Sequence, residues 1–322
     1  MSDSDPTVTG HAEVRAVLAD EHFVVPQAEP ADTEATLAWL RATVSRFCEG
    51  PAHTRRRALA TAELAGVDAV ALRDRARDLA LRELAGPRPV DVMARVARRV
   101  PVGVLCATLG ITDADMDRAV RSVAAVAAAY HPGADAAARS RADDGIAALV
   151  GLLGPAEPEA VAARIGLLVQ ACDATAGLVG NAVAHALRAG PAARGWPVAG
   201  VLAETLRLDP PVRATRRVSV AGARLASVDL APGTVVLLDF AAANRDPAVF
   251  ADPDRFDPER GEPPHLTFGH GPRRCPGADH ALELAAGVLD AVLPGRDLVE
   301  TDLAYEPSAN LRVPARLLVT AR

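Results

Sequence analysis

The sequence predicts a mainly α-helical protein with a small β region late in the chain. In most of the first 210 residues, apolar side chains recur at helical spacing in blocks that Pro and Gly separate. Residues 212–240 alternate instead and are rich in Val, Thr and Gly, which is typical of short strands. The chain has no internal repeat and no low-complexity linker, so we expect one domain that spans residues 1–322.

Apolar periodicity and helix breakers together place the predicted helices. In the second and third blocks, Arg and Glu lie between the apolar positions, as on the outer face of an amphipathic helix. Pro101 interrupts the stretch after the third block, and the run Asp209-Pro210-Pro211 ends the seventh. The predicted helices, in chain order, are residues 12–19, 33–48, 55–84, 113–129, 136–153, 159–188, 199–208 and 277–292.

The strand region is divided by a turn. The run Ala231-Pro232-Gly233 contains a Pro-Gly pair, so we expect it to separate two short strands within residues 212–240. Residues 241–267 are crowded with Asp, Pro and Arg and predict a loop that leads to the final helix.

Composition and charge exclude several classes of protein. The hydrophobic share of 50% is ample for a large core. The net charge of −6 argues against a nucleic-acid-binding surface, which needs a basic excess. The four cysteines are scattered and form neither a CxxC pair nor a disulfide framework. We therefore expect a protein of the reducing cytoplasm that has no nucleic-acid partner.

Residues 165–187 are apolar enough to be considered as a membrane span. Asp173 lies within this segment, and a charge is costly in lipid, so we interpret the segment as a buried central helix. The N-terminal run MSDSDPTVTG has no basic region followed by an apolar stretch. We therefore expect neither a secretory signal nor a membrane partner.

A Gly-rich loop around Cys275 is the most informative segment. Gly269 and Gly271 allow the backbone to fold tightly and to turn N–H groups toward the sulfur. A helix follows, with Pro276 suited to its first position, and a helix N-terminus favours a thiolate. Arg273 adds a positive charge nearby. Such a thiolate suits a haem iron as an electron-donating ligand. The alternative for a lone cysteine is a buried structural thiol beside a turn.

The ten residues from 268 to 277, FGHGPRRCPG, resemble the cytochrome P450 signature F-G-x-G-x-(H/R)-x-C-x-G at every defined position. The resemblance implies that the cofactor is haem b and that Cys275 is the proximal iron ligand. It also implies that Phe268 packs near the sulfur and that Arg273 meets a haem propionate. The cofactor-binding residues implied in this loop are Phe268, Gly269, Gly271, Arg273 and Gly277.

A second motif supports the resemblance. Glu204 and Arg207 share one helix face at i, i+3, which by itself usually indicates a surface ion pair. Their position relative to Cys275 resembles that of the ExxR motif of P450 relatives, a structural charge cluster behind the haem. The resemblance implies that Arg255 is the third member of this cluster.

Four cationic residues resemble those that bind the haem propionates in relatives. His53 and Arg57 lie at i, i+4 and face the same side of a predicted helix, like the family's HxxxR pair. Two further arginines lie between them, so the alternative is a basic surface helix. Arg217 occupies another position where relatives contact a propionate. Together with Arg273, these residues would supply partners for two carboxylates.

The chain departs from the family in length. It begins where relatives already have a helix and the first strands of a sheet, and it has fewer residues between Arg57 and Asp173, where relatives build the lid over the substrate. We therefore expect a P450 fold that is truncated at the N-terminus and in the lid region. A sheet edge would then be exposed or covered by a partner, and the pocket would be more open.

The second departure lies in the central helix, where relatives carry A-G-x-(D/E)-T-T and this chain reads QACDAT at residues 170–175. In the register that the LVGN run at residues 178–181 favours, Asp173 matches the acid, Ala174 replaces the first Thr and Thr175 matches the second. A shift by one residue would put Thr175 in the key position and move the acid away. Because the acid and Thr of relatives organise water for proton delivery, Asp173 and Thr175 are the candidate catalytic residues.

The resemblance implies a haem-thiolate monooxygenase that uses dioxygen and electrons from a ferredoxin system, in bacterial secondary metabolism. Its expected partners are a redox protein and a small-molecule or carrier- or peptide-bound substrate. Two alternatives remain open. Ala174 and the short lid favour peroxide-driven, coupling or rearrangement chemistry. A non-catalytic helper of a partner enzyme is disfavoured because Cys275, Glu204 and Arg207 are intact.

Overall fold

The computed structural model describes residues 5–85, 89–130, 133–193, 195–220, 222–225 and 228–322 and confirms the mainly helical fold with a small β region. The α-helices are, in chain order, α1 His11–Ala19, α2 Leu37–Thr43, α3 Gly50–Ala65, α4 Ala69–Leu84, α5 Val100–Thr108, α6 Met116–Tyr130, α7 Ala136–Leu153, α8 Pro158–Ala189, α9 Val198–Leu208, α10 Phe240–Ala243 and α11 Ala278–Val292. Turns of 3-10 helix occupy Ser45–Phe47, Asp113–Asp115, Gly190–Ala193 and Gly271–Arg273, and a π-helical turn occupies Met93–Ala97.

The strands are short and form three small sheets. They are β1 Thr7–Val8, β2 Phe23–Val24, β3 Val90–Asp91, β4 Ala214–Ser219, β5 Arg224–Leu225, β6 Val228–Asp229, β7 Val235–Asp239, β8 Arg296–Leu298 and β9 Leu318–Ala321. The largest sheet has the order β1-β7-β4-β2, in which only the β1–β7 pair is parallel. The other two sheets have the orders β3-β9-β8 and β5-β6. The predicted strand region therefore supplies the inner strands β4 and β7, and the N-terminal part of the chain supplies both edges.

Helix α8 lies at the centre of the main hydrophobic core, and α3, α5, α6, α9 and α11 pack against it. Its small residues permit close approach, since a Cβ at Gly177 would lie 2.9 Å from the carbonyl oxygen of Arg312. Among the described residues, α8 alone is long and apolar enough to cross a membrane, but 72% of its apolar stretch is buried inside the protein. This burial agrees with the interpretation of the segment as a central helix.

A second, smaller core joins the N-terminal segment to the large sheet. Val14 and Leu18 of α1 and Phe23 of β2 pack with Val236 and Leu238 of β7. The sequence pattern did not predict β1 and β2 because two-residue strands carry no detectable alternation.

Two predicted helices are each divided in the structure. The helix predicted over 33–48 is α2, which Thr36 caps by accepting the N–H of Trp39, followed by the separate Ser45–Phe47 turn. The helix predicted over 55–84 is interrupted before Asp68, whose carboxylate accepts the N–H of Val70 at 2.9 Å and caps α4.

Helix α5 was not predicted because Pro101 was interpreted as a helix breaker. In the structure Pro101 lies in the first turn of α5, where a missing N–H costs nothing. The lid region consists of the helices α6 and α7, which pack against each other and against α8.

Candidate functional site

The Cys275 loop is a tight turn that leads directly into a helix. Gly269 and Gly271 adopt φ angles of 72° and 68°, which residues with side chains disfavour. The N–H of Cys275 donates to the carbonyl oxygen of Phe268 at 2.7 Å and closes the loop. Helix α11 then begins at Ala278. The tight loop and the helix that follows it agree with the prediction, except that Pro276 precedes the N-cap Gly277 and does not occupy the first helical position.

The sulfur of Cys275 is held in a largely buried environment. Burial raises the pKa of the Cys275 thiol above its ordinary value. The N–H of Gly277, which donates to the sulfur, and the positive charges of Arg57 and Arg274 act in the opposite direction. The loop by itself thus favours the neutral thiol, and a metal cation on the sulfur would supply the stabilisation that a thiolate requires.

A cavity of about 1170 Å³ adjoins this loop and also reaches α3, the middle of α8, β4 and the C-terminal end of α6. The predicted site residues that line it are His53, Arg57, Asp173, Thr175, Arg217, Phe268, Gly269, Arg273, Cys275 and Gly277. Gly271 does not line the cavity. A Cβ at this position would lie 3.3 Å from the Cα of Ala19, so the close packing of the loop against α1 accounts for glycine here.

The four predicted cations surround one part of the cavity. Arg217 is 6% exposed, and burial together with the charge of Arg273 lowers its pKa to about 10. Burial and then the charge of Arg273 also lower the pKa of His53. Arg273 pairs with Glu49 at 2.5 Å and donates to the carbonyl oxygen of Cys48 at 2.6 Å. Arg57 donates to the carbonyl oxygen of Arg274.

This arrangement fits a haem. Within the described part of the chain, Arg217 has no carboxylate within 4.0 Å, so a buried guanidinium lacks the anionic partner that normally accompanies it. Two propionates would supply such partners. Among the described residues, no group of three His, Cys, Asp or Glu side chains could hold a metal ion.

Glu204 and Arg207 form a fully buried ion pair behind the Cys275 loop. Arg207 donates to Glu204 through Nε at 2.8 Å and Nη2 at 2.7 Å, and it also donates to the carbonyl oxygens of Asn244 and Arg255. The third side chain of the cluster is Arg260, whose Nε lies 3.3 Å from Glu204. The prediction of Arg255 was wrong, because Arg255 contributes its carbonyl oxygen while its guanidinium faces Asp257 at 3.7 Å.

Asn244 joins this cluster to the segment that precedes the cysteine. Its amide nitrogen donates to the carbonyl oxygen of Leu206 and to the hydroxyl of Thr267, and its amide oxygen accepts the N–H of Leu266 at 2.8 Å. The chain on both sides of the Cys275 loop is therefore anchored to rigid helices, α9 before the loop and α11 after it.

The middle of α8 presents Asp173, Ala174 and Thr175 to the cavity. Thr175 is 2% exposed. Burial raises the pKa of Asp173, whereas the charge of Arg98 and a hydrogen bond from the Cys172 thiol act in the opposite direction. All three residues line the same cavity, so both registers considered for this segment are compatible with the structure.

Several cavity residues carry no motif in the sequence. Arg41 and Arg46 reach the cavity from α2 and from the turn that follows it, and Glu306 reaches it from the C-terminal segment. Glu306 lies 2.7 Å from Arg98, next to Asp173. Their placement depends on contacts between distant parts of the chain, which local patterns do not report.

The comparisons with known proteins agree with this geometry. The family model described as "Cytochrome P450" matches residues 198–284, which contain the ExxR motif and the Cys275 loop. The mycinamicin IV hydroxylase/epoxidase of Micromonospora griseorubida is 34% identical, over 97% of this chain and 88% of its own. The vitamin D(3) 25-hydroxylase of Pseudonocardia autotrophica is 30% identical, over 97% of this chain and 87% of its own.

Solved structures show the same fold. The crystal structure of CalO2 superposes with a TM-score of 0.84 at 27% identity and covers 98% of this chain and 90% of that chain. P450BioI, solved in complex with hexadec-9Z-enoic acid ligated acyl carrier protein, superposes with a TM-score of 0.82 at 24% identity and covers 98% of this chain and 92% of that chain. The sequence identity to the two hydroxylases, together with the Cys275 loop and the buried Glu204–Arg207 pair, shows that this chain belongs to the cytochrome P450 superfamily.

Proposed function

We propose that this cytochrome P450 is a monooxygenase that binds haem b through Cys275. The observation that carries the proposal is the sulfur of Cys275 beside a cavity of about 1170 Å³ that the buried Arg217 and the half-buried His53, Arg57 and Arg273 also line. A haem bound there would supply the activation of dioxygen for oxidation of an organic substrate. Residues 1–322 would act as a single haem domain in the cytoplasm, without a nucleic-acid or membrane partner.

In this proposal the four cations orient the cofactor. His53 and Arg57 of α3 and Arg217 of β4 would hold the propionates, and Arg273 would assist while it remains paired with Glu49. Phe268, Gly269 and Gly277 line the cavity at the Cys275 loop and would shape the side of the cofactor that faces the sulfur. Gly271 would act indirectly, by allowing the loop to pack on α1.

Asp173 and Thr175 would handle protons. The raised pKa of Asp173 allows its carboxyl group to hold a proton closer to neutral pH than an ordinary Asp, which suits a proton donor. The Thr175 hydroxyl would position water or substrate within the cavity. Ala174 lacks a hydroxyl, so a substrate hydroxyl or ordered water would complete the path.

The proposed substrate is a small molecule or a group bound to a carrier protein or peptide. The named relatives act on mycinamicin IV and vitamin D(3), and P450BioI was solved with an acylated carrier protein. The large cavity supports a substrate in this range of sizes. A ferredoxin-type protein would deliver the electrons.

The test is the difference spectrum of the reduced, haem-loaded protein with carbon monoxide. We expect the red-shifted Soret band of thiolate ligation in the wild type and its loss in Cys275→Ala. Cys48→Ser is the matched control, because Cys48 is half-buried but does not line the cavity, and it should keep the band. A band typical of histidine ligation in the wild type would contradict the proposal.

Ala174 favours a second candidate function, a haem-thiolate enzyme with peroxide-driven, coupling or rearrangement chemistry. Tight control of protons matters less for such reactions, so a hydroxyl at this position is dispensable. Turnover with a ferredoxin and its reductase, compared with turnover with hydrogen peroxide, separates the two functions. Faster product formation with peroxide would favour the second.

A further inference from the structure

Two arginines flank one aromatic ring at the edge of the cavity. Arg41 lies near the end of α2 and Arg46 lies in the Ser45–Phe47 turn, and both line the cavity. Their guanidinium carbons lie 4.8 and 5.7 Å from the ring centroid of Phe47. Arg41 donates to the carbonyl oxygen of Tyr130 at 3.3 Å, and Arg46 donates to the side-chain oxygen of Gln170 at 3.4 Å. Neutral oxygens and a π-face therefore hold both side chains at this edge.

Neither arginine has an acidic partner. Within the described part of the chain, no carboxylate lies within 4.0 Å of Arg41 or Arg46. Arg56, which also lines the cavity, pairs with Glu159 at 3.0 Å. Like Arg217, these two cavity arginines therefore have no carboxylate partner, with Arg41 half-buried and Arg46 exposed to solvent.

The charges of both arginines act on the buried phenol of Tyr130. Burial raises the pKa of Tyr130 to about 12, and the charges of Arg46 and then Arg41 oppose this effect. Both guanidiniums therefore act on the same group at the end of α6, and an anion placed beside it would feel both charges.

Arg41 and Arg46 remain after the propionates of the proposed haem site are paired with other cations, and the charge of Arg46 also reaches Arg217 and Cys275, so this edge of the cavity adjoins the haem part. The two propionates would face His53, Arg57, Arg217 and Arg273, and Glu49 already offsets one of these charges. An additional anion in the cavity would therefore be supplied by the substrate. Guanidinium groups bind oxyanions through paired N–H donors, which suits a carboxylate or a phosphate.

We propose that the substrate carries an anionic group, a carboxylate or a phosphate, that binds between Arg41 and Arg46. This inference rests on the proposed haem-thiolate function, because it assigns substrate recognition within the same cavity. The anionic end would lie beside Phe47 and Tyr130, and the rest of the substrate would extend toward α8. A free organic acid and a phosphate-bearing carrier arm share this chemistry, and the test distinguishes them.

The probes are ω-imidazolyl alkyl compounds in a series of chain lengths, with a carboxylate, a phosphate or a hydroxyl as the end group. The imidazole binds the haem iron and shifts the Soret band, so affinity is measurable before the natural substrate is known. At low salt, we expect the wild type to bind at least one anionic series about tenfold more tightly than the alcohol series. Preference for the carboxylate alone would indicate a free acid, and preference for the phosphate would indicate a phosphate-bearing arm.

Arg41→Gln and Arg46→Gln should each reduce this preference to about threefold or less, and added salt should weaken the wild-type preference. Arg41→Lys should keep part of it and covers the case in which Arg41→Gln fails to fold. Arg118→Gln is the control. Arg118 is exposed on α6 and does not line the cavity, and its substitution changes the net charge by the same amount.

Equal affinity for the anionic and alcohol series in the wild type would overturn the inference, as would an unchanged preference in both glutamine variants. The carbon monoxide spectrum of each protein separates this result from a failure of the proposed function. A thiolate band without anion preference overturns the inference alone, whereas an absent band in the wild type overturns both.

Discussion

Asp173 is a half-buried acid whose surroundings raise its pKa. Burial raises its pKa, and Arg98 only partly offsets this effect. We predict that Asp173→Asn reduces dioxygen-dependent turnover by about 100-fold, because general acid catalysis is worth at least that much, while substrate affinity changes little. Turnover and the substrate-induced Soret shift measure the two quantities.

Asp144→Asn, an exposed position on α7, is the control for this substitution. Ala174→Thr should improve the coupling of electrons to product or leave it unchanged. Full activity in Asp173→Asn would mean that Asp173 is structural or that the other register of the α8 motif applies.

His265 precedes the Cys275 loop and lies half-buried, where its neutral form is favoured. Burial, and then the charge of Arg274, lowers its pKa to about 4, and its Nδ1 has no hydrogen-bond partner among the described residues. The unfolded chain protonates this residue near its ordinary value of 6.5, so between pH 6.5 and 4 the unfolded state binds more protons. The free energy of unfolding should therefore decrease as the pH is lowered from 6.5 to 4, and His265 should account for up to about 3 kcal/mol of this decrease.

Urea unfolding of the haem-loaded protein at several pH values tests this prediction against His265→Gln, whose stability should decline less between pH 6.5 and 4. His22→Gln, at an exposed site, is the control and should follow the wild type. Parallel curves for the wild type and His265→Gln would show that His265 does not contribute to the acid sensitivity.

Helices α4 and α11 pack so closely at Gly287 that this position has no room for a side chain. A Cβ at Gly287 of α11 would lie 2.2 Å from the carbonyl oxygen of Arg73 of α4, and backbone atoms cannot yield locally. We predict that Gly287→Ala lowers the free energy of unfolding by about 3 kcal/mol, the upper range for overpacking. Because α11 starts at the Cys275 loop, haem retention should also decrease.

Gly151→Ala on α7 is the matched control, since nothing lies within 4 Å of a Cβ there. This variant should be neutral or more stable by up to about 1 kcal/mol, because Ala favours the helix. Equal stability of both variants in urea unfolding would show that α4 and α11 can separate at little cost.

Local patterns predict the elements whose signals lie within one segment. The long helix α8, the Cys275 loop and the Glu204–Arg207 pair follow from periodicity, glycine positions and spacing. The sequence did not predict the division before Asp68 or the helix that includes Pro101. An Asp can cap a helix or lie in a loop, and a Pro can start a helix or break one, so the residue type alone does not decide. Tertiary context decides between these roles.

The candidate site shows the same limit. Cys275 belongs to a continuous motif, whereas Arg41, Arg46 and Glu49 acquire their roles only where α2 and the turn after it meet α6, α8 and the Cys275 loop. Arg260 displaced the predicted Arg255 as the partner of Glu204 for a related reason, since both arginines follow the same loop and only its folded path shows which guanidinium turns inward.

Without the haem propionates, the cationic side chains of the whole pocket should repel one another and destabilise the haem-free protein. Burial is the main cause of the lowered pKa values of His53, Arg57 and Arg217, and the charge of Arg273 lowers each of them further, so these charges act on one another. We predict that about 0.5 M sodium chloride stabilises the haem-free protein by about 1 kcal/mol relative to low salt, because salt screens this repulsion.

The haem-loaded protein should respond less to salt, since the propionates already neutralise part of the cluster. Urea unfolding of both forms at two salt concentrations provides the measurement. Equal responses of the two forms would show that the cations do not repel one another strongly.

The pairing of β1 with β7 and of β2 with β4 has a consequence for the order of events during synthesis. The first strands to leave the ribosome find their neighbours only after residues 214–239 have been translated, and the cysteine follows later still. Formation of the large sheet therefore closes a very long loop. This step is slow because the chain loses conformational entropy before the strand contacts stabilise it. The helices around α8 lie between these strands in the chain and are available to collapse earlier. We expect a nascent chain whose helices around α8 are already packed while the large sheet is still open, and which can accept its prosthetic group only after the sheet has closed and Cys275 has been added.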